Sequence, residues 1–205
     1  MSSAQPSSKS VQKTKEMLAR AFHDDPPNVW MFPDERKRRA ALEAGFTMSV
    51  RYGARYGQVY STDGTNEGAA IWLPPDSPRT SMPRMLRVGL WEMISVPLTV
   101  GLGVLPRLFS VMGRMEELHK KDAPKRHWYL MALGVEPKRQ GQGVGSALMQ
   151  PGLEQADRDR LPCYLETAKE INLDFYKKHG FEVVRKIDLP QGGPPVWTML
   201  REPIG

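Results

Sequence analysis

The sequence predicts one α/β (α+β) domain with a mixed sheet flanked by helices, and three stretches carry that reading. Residues 127–135, HWYLMALGV, and 163–167, CYLET, are apolar runs of strand length, and the segment between them turns through glycines into a helix ending near Arg160. A strand, helix and strand in that order imply two parallel strands joined by a right-handed crossover. Residues 58–61 and 68–73 flank the turn-rich STDGTNE and read as a hairpin. A length of 205 residues with 40% hydrophobic content suits one domain with an elaborated insert.

In chain order, residues 1–10, MSSAQPSSKS, have no apolar core and read as a polar tail rather than a secretory signal. Residues 11–22, VQKTKEMLARAF, place Val11, Lys15, Leu18 and Phe22 on one helical face, with Met17 and Ala21 beside it, before DDPPN stops the helix. A second helix is expected from about Asp34 to Tyr52. It opens on the charge run DERKRR, read as a solvated face, and carries Leu42, Phe46 and Val50 at fourfold spacing. The hairpin follows and is bounded by Pro74 and Pro75. From Pro83 to about Lys121 the composition is helical and rich in Met and Leu, interrupted by Pro97, Gly101, Gly103 and Pro106, which predicts an adaptable helical insert or lid. Within it, residues 88–105 are apolar enough to resemble a short membrane span, but Glu92, Pro97 and three glycines favour a soluble helical hairpin. No internal repeat is visible.

The charge balance, 29 Lys and Arg against 23 Asp and Glu for a net +6, favours anionic partners such as nucleotides, nucleic acid or an acidic membrane surface without choosing among them. The single cysteine, Cys163, excludes an internal disulfide, and the four histidines show no metal-ligand spacing around it. A reduced, cytoplasmic compartment and no metal are therefore expected, with Cys163 a small buried strand residue.

The stretch RQGQGVGSALMQ, residues 139–150, packs Gly141, Gly143 and Gly145 into five positions before changing into a helix. A turn that leaves a strand and enters a helix aims successive backbone N–H groups and the positive helix end at one point, which suits a phosphate. Glycines allow close backbone approach, and Lys138 and Arg139 add positive charge at the rim. Ser146 stands where a dinucleotide fingerprint needs its third glycine, and no Gly-Lys-Ser/Thr follows to make a P-loop. Taken alone, the loop fits a phosphate site and an ordinary strand-to-helix turn equally well.

The wider pattern separates these readings. Gln140-x-x-Gly143-x-Gly145, following Leu133-Gly134-Val135, resembles the acyl-CoA signature of the GNAT superfamily of N-acetyltransferases. Asn172-Leu-Asp-Phe-Tyr176, continuing to Gly180-Phe181, resembles that family's second signature. The series HWYL, LGV-x-P, Q-G-x-G-x-G and LET across residues 127–167 is most similar to the puromycin N-acetyltransferase-like branch, and the resemblance extends from about Glu116 to Leu200. It implies a mostly antiparallel central sheet, splayed where the strand of Leu133, Gly134 and Val135 parts from the strand of Leu165 to Thr167. Acetyl-CoA is the implied co-substrate, its pantetheine arm in that gap. The pyrophosphate would rest on the backbone of Gln140, Gly141, Gln142, Gly143, Val144 and Gly145, with Ser146 at the end of the run, the adenosine near Lys138 and Arg139, and the thioester near Leu133.

The implied chemistry is direct attack of an amine on the thioester, with no covalent enzyme intermediate and no nucleophilic role for Cys163. It needs a group to deprotonate the ammonium, one to hold the oxyanion and one to protonate the departing thiolate. Tyr176, paired with Asn172, matches the proton donor to sulfur; a phenol and a thiol differ by roughly 2 pKa units when unperturbed. A backbone N–H from Leu133 to Val135 would meet the oxyanion. The base is drawn from Glu116, Glu117, His119, His127 and Glu166. His119 titrates near neutrality when unperturbed and Glu116 can orient it or act alone, so these two complete the expected catalytic set, although a helix end bearing them also fits a solvated face. Glu166 and Tyr164 share one side of their strand by alternation, and Glu166 also fits a structural role.

Two departures from the family pattern stand out. No first strand precedes the helix at Val11, so residues 1–10 form an edge strand or the sheet is one strand short, and Pro151 falls inside the helix after the glycine loop. The acceptor must be set by the insert and by Trp30-Met31-Phe32. Both are apolar, which predicts a small hydrophobic or amphiphilic amine, an antibiotic among the options, rather than a polycationic aminoglycoside. A homodimer is compatible with this reading. Three alternatives compete with it: a non-catalytic acyl-CoA sensor, which would not need Tyr176; a nucleic-acid-binding protein using DERKRR and HKKDAPKR, which no recognised binding motif accompanies; and membrane association through residues 88–105.

Overall fold

The structure, a computed structural model, describes residues 8–62, 65–76, 82–89, 96–98 and 100–204. Helix α1 (Ser8–Ala21) leads to a short α2 (Pro26–Met31) and a long α3 (Glu35–Tyr56). Strands β1 (Gln58–Ser61) and β2 (Gly68–Leu73) form the expected hairpin, its pairs running from Gln58 with Trp72 to Ser61 with Ala69. Helix α4 (Met82–Val88), a 3-10 turn (Leu102–Val104) and α5 (Leu105–Asp122) make the helical insert. Strand β3 (Trp128–Val135), α6 (Val144–Asp159), β4 (Cys163–Thr167), α7 (Ile171–Lys177), β5 (Glu182–Asp188) and β6 (Pro195–Arg201) complete the chain.

The six strands lie in the order β1-β2-β3-β4-β6-β5. Only β3 and β4 run parallel, as the strand-helix-strand reading requires; the other neighbours are antiparallel. Every residue of β2 is buried, because helices cover both faces of the sheet there. Ala69 and Ile71 meet Met17 and Leu18 of α1 and Val50 of α3, while Ala70 and Trp72 meet Leu148, Met149 and Leu153 of α6. Two glycines are fixed by close approach. A Cβ on Gly57 would lie 2.2 Å from the Trp72 carbonyl oxygen, and one on Gly152 would lie 2.3 Å from the Trp72 ring.

Several elements differ from the sequence reading, each for a local reason. Ser8 to Ser10 open α1 instead of extending a tail, and residues 1–7 lie outside the described residues. The described part of the sheet starts at Gln58, so no strand precedes α1 among the described residues. Helix α3 runs four residues past Tyr52, until Gly57 meets β2; it starts where Asp34 accepts a hydrogen bond from the Lys37 N–H at 2.9 Å. Arg38 is not on a solvated face: it is buried and donates to the Phe32 carbonyl at 2.9 Å, while its neighbours Lys37 and Arg39 are exposed. Pro106 sits in the first turn of α5, where its missing N–H costs nothing, so it begins that helix rather than breaking it. Helix α6 continues through Pro151. Part of the proposed membrane-span segment, residues 90–95 and 99, lies outside the described residues. Among the described residues no helix is long and apolar enough to cross a membrane.

Candidate active site

The site begins where two strands stop pairing. Strands β3 and β4 are joined only at Trp128 with Cys163 and Tyr129 with Tyr164, at one end of both strands. Beyond that point the strands part, and the backbone groups of β3 that face β4 lose their sheet partner. Such groups require another partner, so the gap is an opening that an extended, hydrogen-bonding chain can fill.

The glycine loop lies beyond the end of β3. Gly141 and Gly143 hold φ of +75° and +79°, in the left-handed region that favours glycine, and a Cβ at either would meet nothing within 4 Å. Gly143 is the N-cap of α6 and has no side chain to cap the helix, so the first N–H groups of α6 remain available to a ligand. Gly145 is tighter, its Cβ position 3.3 Å from the Phe175 ring. The glutamine side chains support the loop itself: Gln140 donates to the Val135 carbonyl at 3.1 Å and Gln142 to the Lys138 carbonyl at 3.2 Å. Arg139 pairs with Glu67 at 3.1 Å, so the cationic rim is partly neutralised within the chain. Gly134 also carries a packing load, since a Cβ there would come within 2.6 Å of Leu18 in α1.

A cavity of about 270 Å³ opens at the strand parting. Leu133, Asn172 and Tyr176, three residues singled out in the sequence, line it together. Asn172 donates to the Thr167 hydroxyl at 3.3 Å, tying α7 to the end of β4. Burial, and secondarily the charge of Asp25, holds the Tyr176 phenol above its ordinary range. Tyr176 therefore holds its proton more firmly than the ordinary phenol of the sequence expectation.

Two carboxylates face the same cavity. Asp25, from the DDPPN stretch, was legible only as a helix stop; burial raises its pKa, and Lys169 at 3.6 Å partly offsets that effect. Glu166 on β4 is the other, with its side chain 9% exposed. Behind it lies a buried aromatic and imidazole cluster. His119 Nδ1 is 3.6 Å from Glu166 Oε1, His119 Nε2 is 2.9 Å from His127 Nε2, and His127 Nδ1 is 2.6 Å from the Pro124 carbonyl. The rings of Tyr129 and Tyr164 pack on His119 at 4.6 and 4.8 Å between centroids. Burial and the Glu166 charge hold both phenols well above their ordinary range, so both stay neutral.

The other expected base candidates lie elsewhere. Glu116 is partly exposed on α5 and pairs with Lys120 at 3.0 Å, and Glu117 is exposed and pairs with Arg114 at 2.7 Å; neither lines the cavity. The i,i+4 and i,i+3 spacings of these pairs mark the outer face of α5, while His119, on the inner face, is buried. Cys163 is fully buried, and desolvation pushes its thiol up to about 12, which removes it as a nucleophile at neutral pH.

A second, apolar cavity of about 660 Å³ lies between α2, α3, α4 and α5. Phe46, Met85, Leu105, Leu108 and Met112 contribute to its walls, and Asn28 and Met31 line both cavities. Among the described residues no group of His, Cys, Asp and Glu side chains is arranged to hold a metal ion.

Residues 110–181 match the acetyltransferase (GNAT) family, a span that includes the α5 histidine, the glycine loop and Tyr176. The chain is 26% identical over 200 residues to an uncharacterized N-acetyltransferase of Schizosaccharomyces pombe, covering 95% of this chain and 81% of that protein. Among solved structures, a histone acetyltransferase HPA2 and related acetyltransferase from Corynebacterium glutamicum superposes with a TM-score of 0.65 at 24% identity over 97% of this chain and 94% of its own. An arylalkylamine N-acetyltransferase 2 from Aedes aegypti has the same fold at a TM-score of 0.54 and 15% identity, over 96% and 95% of the two chains. The fold is GNAT-like, and the family match supports an acyltransferase that uses acetyl-CoA.

Proposed function

We propose that the protein transfers the acetyl group of acetyl-CoA, by direct attack, to a primary amine of a small hydrophobic or amphiphilic molecule. One observation carries this reading: a cavity bearing two carboxylates, at the parting of β3 and β4, shares Asn28 and Met31 with a larger cavity walled by apolar side chains. Carboxylates at the first suit an ammonium group, and the second suits an apolar body attached to it.

The residues present fit acetyl-CoA. The pantetheine arm would take up the unpaired backbone of β3 between Leu133 and Val135. The diphosphate would meet the N–H groups from Gln140 through Ser146, at a loop whose positive φ values and open surroundings admit a close backbone approach. When bound, acetyl-CoA supplies an activated acyl carbon and a thiolate leaving group. The chain's own part is then to place an amine beside Leu133, to take its proton, and to steady the departing sulfur with the Tyr176 hydroxyl. The similarity of residues 127–167 to the puromycin N-acetyltransferase-like branch supports a role in antibiotic detoxification, and the single buried cysteine suits a cytoplasmic enzyme.

Calorimetric titration with acetyl-CoA tests the first half. The wild type is expected to bind, and Gly143→Glu to lose at least tenfold in affinity, because a side chain is forced to positive φ and a carboxylate is placed at an anion site. Equal affinity in the variant refutes the loop assignment. Free-thiol release with octylamine, 2-phenylethylamine and kanamycin tests the second half, and kanamycin as the best acceptor would overturn the apolar-acceptor reading.

A further inference from the structure

We infer that the exposed apolar face at the mouth of the second cavity docks on an anionic lipid bilayer, from which that cavity draws amphiphilic acceptors. The docking is independent of the chemistry, and the acceptor route rests on the acetyltransferase reading. Leu98 and Leu102 are 80% and 70% exposed, Phe109 and Met112 of α5 are 66% and 47% exposed, and Leu86 of α4 is exposed as well. The other large apolar side chains that face water among the described residues are scattered over α2, α7, β5 and the segment after β6. Phe109 and Met112 also line the apolar cavity, as does Pro97 beside Leu98, so the cavity opens to the surface within this face. Such a concentration of exposed apolar side chains marks an interaction surface.

Charge identifies the partner. The stretches that contribute to this cavity and its rim, residues 44–56, 82–89, 96–98 and 100–115, carry six arginines and neither aspartate nor glutamate. Setting those six aside from the 29 Lys and Arg leaves 23, equal to the 23 Asp and Glu, so the net +6 of the chain is the charge of these stretches alone. Glu92 falls outside the described residues, and the bordering acids are paired, Glu43 with Arg39 at 3.0 Å and Glu117 with Arg114 at 2.7 Å. Arg55 of α3 and Arg84 of α4 stand against the Tyr56 ring at 5.7 and 5.0 Å, which gathers cations from two helices at one place. Arg107 of α5 lies over the Trp30 ring at 5.2 Å and donates to the Trp30 carbonyl at 3.3 Å, which adds a cation on the α2 side. Exposed apolar side chains flanked by arginines suit a surface that buries the former among acyl chains while the latter meet anionic headgroups.

Two other occupants fit less well. A second copy joined about a twofold axis would set these arginines against their own equivalents, with no acid among the described residues of the face to pair them. A protein partner that matched the face closely would seal the cavity mouth, whereas a bilayer leaves amphiphiles free to enter it. The apolar cavity shares Asn28 and Met31 with the cavity that bears Asp25 and Glu166. An amphiphilic amine leaving the bilayer therefore finds an apolar space that adjoins those carboxylates.

Flotation of the full chain with lipid vesicles tests the docking without acetyl-CoA. Wild type, Leu98→Asp/Leu102→Asp and Arg55→Gln/Arg87→Gln are compared on phosphatidylcholine vesicles and on vesicles that also contain about a third phosphatidylglycerol. All four side chains are exposed and none lines either cavity, so both variants should keep the wild-type thermal midpoint. The wild type is expected to bind the anionic vesicles at least roughly tenfold better than phosphatidylcholine alone, and each variant to lose at least roughly tenfold. No binding by the wild type, equal binding to both vesicles, or variants that bind like the wild type overturns the inference. So does lipid-free self-association of the wild type that Leu98→Asp/Leu102→Asp abolishes, which assigns the face to a second copy. Acetyl transfer then tests the route. With dodecylamine carried in the anionic vesicles, kcat/KM should fall at least roughly tenfold in Leu98→Asp/Leu102→Asp, while octylamine in solution stays within about twofold. Equal losses on both amines, or none on either, overturn the route. Absence of acetyl-CoA binding by the wild type instead brings down the acetyltransferase reading and leaves the flotation result standing.

Discussion

Gly152 shows how much one atom decides at the residue scale. Its α-carbon lies so near the Trp72 ring that a methyl group would fall 2.3 Å from a ring carbon, and both partners are locked, one in α6 and the other in the fully buried β2. Gly152→Ala should therefore lower stability by about 1–3 kcal/mol despite its better helix propensity, measurable as a lower denaturant midpoint at unchanged slope. A rise in midpoint would mean that Trp72 moves aside freely. Cys163 gives a second test. A fully buried thiol pushed up to about 12 should resist an aromatic disulfide reagent at pH 7–8 in the native protein and react promptly in denaturant. Fast labelling of the folded chain would contradict the burial. At this scale spacing made visible residues that the structure brings together: Gly141 and Gly143 at positive φ in their turn, and Asn172 and Tyr176, one helical turn apart, on the wall of one cavity. It concealed groups whose role depends on burial. His119 and Arg38 sit in charged runs that read as wet faces, yet each is turned inward, and Asp25 was visible only as punctuation before two prolines.

Elements combine these residues into a site by failing to pair as well as by pairing. Strands β3 and β4 could continue their ladder past Tyr129 and Tyr164 but separate, and the cavity, the free backbone and Glu166 all arise at that separation. The order of strand, loop, helix and strand was legible because glycines and apolar runs punctuate it; the divergence of two strands leaves no periodicity in either one. The apolar cavity was legible only as composition, since its walls come from α2, α3, α4 and α5, and their convergence is a tertiary fact. Gly45 of α3 offers a way to probe it. It lines that cavity, and a Cβ there would meet nothing within 4 Å. Gly45→Leu should raise stability by about 1 kcal/mol through helix propensity alone. The same side chain should occupy acceptor space, raising KM for octylamine roughly tenfold while methylamine, which has no tail to place, changes less than twofold. Equal effects on both amines would place the acceptor tail outside this cavity. Because the substitution favours folding, lost affinity could not be ascribed to a damaged protein.

For the whole molecule, the net charge of +6 is less informative than where charge is buried. The last strand, β6, is tied to α6 by Arg201, whose guanidinium is 4% exposed and meets both oxygens of Asp157 at 2.7 and 2.8 Å. The same carboxylate accepts the Ile204 N–H at 2.9 Å, so one aspartate joins the crossover helix, the sheet and the segment that follows it. The hydrogen bond from Arg201 holds the Asp157 carboxyl below its ordinary value of 3.8. A carboxyl depressed by folding contributes stability that is fully present above its unfolded value and disappears as pH falls through its folded one. Asp157→Asn removes that charge and leaves Arg201 buried without its counterion, which should cost about 2 kcal/mol at neutral pH. For a chain of this size the midpoint temperature should fall by roughly 5 °C. The pH dependence identifies the cause. The gap between wild type and variant should stay constant from pH 8 to about pH 5, then narrow below about pH 4 as the wild-type carboxyl takes up its proton. A gap that persists undiminished at pH 3 would assign the loss to altered packing, whereas one that closes there assigns it to the ionised pair joining β6 to α6.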